Sequence, residues 1–105
     1  MLQINMFRIK PEQESRLREW LLELNNRADE VLETFKDETV RAEQAFILPT
    51  SDGPILVYAM EADDCKRAAD RYMRSKHPLD LDAIETMRDC LGQSLKLSPL
   101  YDVSI

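Results

Sequence analysis

From Pro11 to roughly Asp37 the chain carries one long amphipathic pattern with no glycine or further proline inside it. Leu17, Trp20, Leu21, Leu24, Ala28, Val31, Leu32 and Phe35 recur at three- and four-residue steps. That spacing puts them on one stripe of a helix of period 3.6. Arg18, Glu19, Glu23, Asn26, Arg27, Asp29, Glu30 and Glu33 fall between them and suit water. Pro11 fits a first helical turn, where its missing N–H costs nothing. Glu12 and Glu14 follow where the helix dipole favours negative charge. At about 1.5 Å per residue the run reaches roughly 40 Å. Asn25-Asn26 is its weakest stretch in helix propensity and the natural place for a bend. A stripe this wide must lie on something, and the segments on either side read as strands.

Leu2 to Ile9 is the first of these, with Leu2, Ile4 and Met6 pointing one way and Gln3, Asn5, Phe7 and Ile9 the other. Thr39 to Leu48 is the second. Val40, Ala42, Phe46 and Leu48 are expected on one of its faces, Ala45 and Ile47 on the other. Pro49-Thr50-Ser51-Asp52-Gly53-Pro54 has the chemistry of a tight turn. Ile55 to Glu61, the third strand, is apolar on both faces almost throughout, and it forms a hairpin with the second. A helix from Asp63 to Lys76 buries Cys65, Ala68, Ala69, Tyr72 and Met73 and breaks at Ser75-Lys76-His77-Pro78, because a residue before proline is pushed out of helical geometry. A further helix is expected from Asp82, with Asp82 and Glu85 as a capping box, stopping at Gly92. Leu95 to Ile105 reads as a last strand, and Pro99 marks it as an edge.

The resulting order is that of a ferredoxin-like βαββαβ α+β fold, with helices on one face of a four-stranded antiparallel sheet and the first and third strands central. At 105 residues the chain is read as one domain, 1–105. An antiparallel sheet with one wet face should alternate apolar and polar residues. Phe7, Ile9, Ile47 and the third strand do not alternate cleanly, so the second face needs a cover. A second copy is the simplest one, and a two-fold homodimer through the sheet faces is expected.

The net charge of −6 argues against nucleic acid and acidic membrane surfaces as partners, since both need clustered Lys and Arg. No run approaches the ~20 apolar residues of a membrane span. The first residues lack a signal-peptide pattern, so the expected location is cytoplasmic. Cys65 and Cys90 read as buried, reduced thiols. Asp63 and Asp64 beside Cys65 argue against a reactive thiolate there. No Cys or His pair has zinc-ligand spacing, and no metal is expected. Arg67, Arg71 and Arg74 read as a solvated face paired with neighbouring aspartates.

Few residues offer chemistry. His77 is the only histidine and the one side chain whose ordinary pKa lies near neutrality. It is a candidate general base, or else a cap for the helix that Pro78 begins. Glu43 and Glu61 are acids among apolar strand residues. Hairpin pairing puts them near one end of the sheet, with Tyr58 close by, and in an apolar cavity two such carboxyls would hold raised pKa values and exchange protons. Asn5, a polar residue on a central strand, needs a partner. Trp20, Tyr58 and Asp80 complete the candidate ligand-binding set.

The chain resembles the dimeric α+β barrel superfamily, and more closely an uncharacterised bacterial family of small ferredoxin-like proteins within it. The resemblance is carried by Arg18-Glu19-Trp20, the strand around Glu43, the stretch Tyr58 to Asp64, and Lys76-His77-Pro78-Leu79-Asp80. It implies the fold and the dimer, and a pocket between helices and sheet or inside the barrel. The superfamily includes cofactor-free monooxygenases, haem-degrading enzymes, lactone isomerases and sugar mutarotases, and the fold does not choose among them. The leading expectation is a homodimer that binds a small organic molecule and carries no cofactor. One rival is a small isomerase or cofactor-free oxygenase with His77 as acid/base and Glu43 as its partner. The other, implied by the resemblance, is a haem protein with His77 as axial ligand. The only tryptophan lies in the first helix, so the tryptophan-dependent haem distortion of those relatives has no counterpart here.

Overall fold

Strands β1 (Leu2–Ile9) and β3 (Ile55–Ala62) are the middle of a four-stranded antiparallel sheet, with β2 (Val40–Leu48) outside β3 and β4 (Leu91–Leu95) outside β1. The computed structural model describes residues 1–105. Four helices follow the expected order: α1 (Glu14–Asn26), α2 (Ala28–Glu38), α3 (Cys65–Arg74) and α4 (Pro78–Cys90). The architecture is the ferredoxin-like βαββαβ order, with each helical region in two pieces.

The ladder fixes which residues share a face. Asn5 pairs with Tyr58 and Tyr58 with Ala45; Phe7 pairs with Leu56 and Leu56 with Ile47. These residues face the helices. The alternate rows, Ile4–Ala59–Gln44 and Met6–Val57–Phe46, point to the opposite side. On β2 the expected faces need one correction. The register slips between Val40 and Ala42, which turns Val40 into the core beside Met60 and Ala62 while Ala42, Phe46 and Leu48 stay outside. Beyond the bulge Glu43 lies opposite Met60, on the helix side.

The long helix is not continuous. A 3-10 turn over Pro11–Gln13 opens it. The helix then breaks at Arg27, one residue beyond the expected weak point, where the Arg27 N–H is shared between the carbonyls of Glu23 and Leu24 at 3.2 Å each. The Arg27 guanidinium lies 5.7 Å from the centre of the Trp20 ring and 3.7 Å from Asp82 of α4. The break therefore lets the helix follow the twisted sheet and pins the kink to α4.

Helix α4 starts four residues earlier than the capping-box reading placed it. Pro78 takes the first helical position and His77 the cap, its Nδ1 accepting the Leu79 N–H at 3.2 Å. Proline's fixed φ suits that first turn better than Asp82 suits a cap. The last strand also differs. It begins at Leu91, contains Gly92 rather than stopping before it, and ends at Leu95. A Cβ at Gly92 would lie 3.6 Å from the Arg8 carbonyl, an ordinary van der Waals contact, so nothing in this position demands glycine and Gly92 continues into the strand. Beyond Leu95 the chain forms no strand, and Leu97, Leu100, Tyr101, Val103 and Ile105 are exposed. Pro99 has no N–H with which to extend the ladder.

The core is in two halves. Ile9, Leu17, Leu56 and Cys90 form one, under α1 and α4; Val40, Met60, Ala62, Cys65 and Ala68 form the other, under α2 and α3. Both cysteines are free and buried, one in each half. Only 15 of the 105 residues are buried, a small share even for a chain this short, because the space between the halves is not filled by side chains.

Candidate functional site

That space is a cleft of about 1300 Å³ between the helices and the sheet. Its floor is the row of Asn5, Phe7, Leu56, Tyr58 and Met60. Its walls include Trp20 and Leu21 of α1, Phe35 of α2, Tyr72 of α3 and Met87 of α4. A lining this apolar, broken by a few polar groups, is what small-molecule sites share.

The polar groups are mainly acids. Glu43 projects from β2 on the same face as Ala45 and Ile47, and its Oε2 accepts a hydrogen bond from the Tyr58 hydroxyl. Burial pushes the Glu43 carboxyl above its usual range and Asp80 adds to this, while the Tyr58 hydrogen bond pulls it back. The Tyr58 phenol is itself raised, by burial first and then by Glu43. Tyr72 rises for the same first reason, with Asp80, Glu43 and Glu38 adding to it.

Glu38 is the last residue of α2 and only 5% exposed. It sits where the chain turns into β2 through Thr39, whose φ of 59° closes the helix. Burial pushes the Glu38 carboxyl up to about 8, with Asp80 next in effect and Glu43 and Asp37 behind it. The carbonyl end of α2 also disfavours a negative charge there. Its Oε1 is buried and has no hydrogen-bond partner. Asp80, 4% exposed in the first turn of α4, lines the same cleft. The protein thus brings three carboxyl groups from three elements into one apolar space.

Of the residues singled out from sequence, Trp20, Asn5, Tyr58, Glu43 and Asp80 all line this cleft. Glu61 does not. It pairs with Leu2 and Ala42 on the opposite face and accepts from the Met1 amino group at 3.0 Å. Nor is His77 among the lining residues. Its Nδ1 is engaged as the helix cap, accepting the Leu79 N–H. Arg71 donates to the Asp37 carbonyl, Arg41 pairs with Asp63, and Asp64 caps α3 by accepting the Arg67 N–H at 3.0 Å. The expected pairing of Arg67, Arg71 and Arg74 with neighbouring aspartates is not what forms: Asp63 is taken by Arg41 and Asp64 by the helix cap, and none of the three arginines makes an ion pair.

Two polar residues of the cleft are absent from the sequence-based candidates: Glu38, and Tyr72, which the sequence reads only as part of the apolar face of its helix. A signal for Glu38 was present: Ala28, Val31, Phe35 and Glu38 continue one stripe at three- and four-residue steps, so the acid lies in line with apolar neighbours. Asp80, Ile84, Met87 and Leu91 show the same pattern.

No helix is long and apolar enough to cross a membrane. No curated protein matches the sequence. Among solved structures, that of Rv0793 from Mycobacterium tuberculosis is similar over 98% of this chain and 97% of its own, with a TM-score of 0.56 and 22% identity. At that identity the likeness speaks for the fold. The sequence matches the model of a family of unknown function, DUF6176, over residues 2–104, and the chain belongs to that family.

Proposed function

We propose that the protein is a homodimer that binds a small organic molecule in the cleft between its helices and its sheet. The observation that carries this is the cleft itself, about 1300 Å³ between two separate core halves, lined by apolar and aromatic side chains around a buried acid without a partner. A cavity of this size costs a small domain stability, which is a reason to expect an occupant.

The dimer, of the dimeric α+β barrel kind, is supported by the sheet's other face. Leu2, Ile4, Phe46 and Leu48 stand exposed there, and nothing in the chain covers them. The tail adds Leu97, Leu100, Tyr101 and Val103, also exposed. A second copy would bury both surfaces at once.

An uncharged apolar dye such as Nile red tests the binding reading. The wild-type protein is expected to take it up with the emission of a dry environment. Ala45, on the cleft floor beside Tyr58, gives the control. Ala45→Trp places a bulky ring on the cleft floor and should weaken uptake markedly, whereas Ile4→Asp on the opposite face should leave it intact. Uptake undiminished in Ala45→Trp would place the dye elsewhere and remove the support for a ligand cleft.

A second reading, proton transfer on the bound molecule, is favoured by one observation: the Glu38 proton is poised at about 8, near working pH, where an acid/base group is most effective. In that reading Glu38, not His77, is the proton carrier, and Tyr58–Glu43 is the neighbouring relay.

A further inference from the structure

We propose that the ligand of this cleft is a lipophilic amine bound as its ammonium ion, the –NH3⁺ group received by the Glu38 and Asp80 pair with Glu43 on the neighbouring strand, and the hydrocarbon part lying along the apolar wall. This rests on the ligand-binding reading above and assigns its chemical class.

The charge balance of the cleft leads to it. Glu38, Glu43 and Asp80 line it from α2, β2 and α4, yet none of them takes part in any of the protein's ion pairs. The cation on the lining is Arg88, which is exposed and lies 3.7 Å from Asp89. Two buried acids, Glu38 and Asp80, beside a half-buried third, Glu43, without a counter-charge are an unfavourable arrangement for an empty protein. The Glu38 Oε1, buried and unpartnered, is an acceptor waiting for a donor. Tyr58 donates its hydroxyl hydrogen bond to Glu43 and Glu38 interacts with Asp80 as a carboxyl pair, which leaves the Glu38 Oε1 as an acceptor and the Trp20 Nε1–H as a donor for a ligand. An ammonium group brings three N–H donors and one positive charge, and charge-assisted hydrogen bonds of this kind are about twice as strong as neutral ones. The rings of Trp20, Phe35, Tyr58 and Tyr72 also line the cleft, and aromatic faces favour cations.

Other ligand classes fit less well. No group of three or more His, Cys, Asp or Glu side chains is placed to hold a metal ion. An anion would meet three acids. A neutral carbonyl compound would accept from one protonated acid and leave the others without a counter-charge.

The raised carboxyls follow from the same imbalance. An arriving ammonium would displace the proton that Glu38 holds, so amine affinity should rise with pH up to about 8. The Glu38 carboxyl is raised by burial first, then by Asp80 on α4, Glu43 on β2 and Asp37 on its own helix, and it in turn adds to the burial-driven rise of Tyr58 on β3 and Tyr72 on α3.

The test is a titration of the protein with 4-phenylbutylamine, 4-phenyl-1-butanol and 5-phenylpentanoate, read by the fluorescence of the single tryptophan, Trp20, which lies in the cleft wall. The amine is expected to bind about tenfold or more tighter than the alcohol, and to lose about that factor in both Glu38→Gln and Asp80→Asn. The carboxylate should bind weakest. Alcohol binding equal to or tighter than amine binding would overturn the ammonium assignment while leaving the ligand cleft in place. Tightest binding of the carboxylate would overturn it as well. Absence of binding by all three compounds, together with failure of Nile red uptake, would remove the cleft reading itself.

Discussion

Glu38→Gln is expected to stabilise the protein at alkaline pH and to flatten the fall of stability with pH. In the unfolded chain this carboxyl titrates near its ordinary value of 4.5, whereas in the folded protein burial and Asp80 raise it to about 8. Between these values the folded state keeps a proton that the unfolded state has lost. Stability therefore falls as pH rises through that window, by about 1.4 kcal/mol per unit. Above the folded value the penalty is complete and amounts to a few kcal/mol. Glutamine has nearly the same shape and never ionises. At acid pH the variant should match the wild type within about 1 kcal/mol, and at about pH 9 it should be the more stable by a few kcal/mol. Urea denaturation at the two pH values measures this. Parallel pH profiles for the two proteins would mean that Glu38 is solvated in the folded state.

Leu17→Ala is expected to cost about 2–5 kcal/mol, the range for deleting a large aliphatic side chain from a packed site. Leu17 is completely buried, with Ile9, Leu56 and Cys90 around it, and it is the contact through which α1 is held on the sheet. Small domains have only ~5–15 kcal/mol in total, so a melting-temperature loss on the order of 10 °C or more should follow. The contrast is Leu32, 53% exposed at the cleft mouth. Leu32→Ala should change stability by less than about 0.5 kcal/mol. If the two substitutions proved equally mild, α1 would not be anchored through Leu17.

The fold was legible because its signals are local and repeat. The apolar stripe from Leu17 to Phe35 required helix, the two-sided strand Ile55–Ala62 required a central place in a sheet, and Asp52-Gly53 required the turn between β2 and β3. The errors lie where one local rule overrode another. Pro78 with His77 outcompeted Asp82 and Glu85 as the start of α4. The bulge between Val40 and Ala42 changed the face of Val40, and a bulge is a tertiary event that alternation along one strand does not reveal. The last strand was placed on Leu95 to Ile105 because its apolar residues alternate. The ladder instead uses Leu91–Leu95, paired with β1.

The site was half legible. Glu43, Tyr58, Asp80, Trp20 and Asn5 were visible as polar or aromatic residues in apolar surroundings. His77 drew notice because of its chemistry alone, yet here it serves as a helix cap, a role its place before Pro78 also suggests. Glu38 was missed because a glutamate in the last turn of a charged helix looks solvated. Only its alignment with Val31 and Phe35 points inward, and only the packing of α2 against the sheet shows how deeply it is buried.

Native mass spectrometry of the protein as purified tests the central claim most directly, because one spectrum reports both assembly and retained ligand. A dimer whose mass exceeds that of two chains by one or two small organic molecules is the result expected from the open sheet face and the cleft. A bare monomer that stays monomeric at micromolar concentration would contradict the account on both counts.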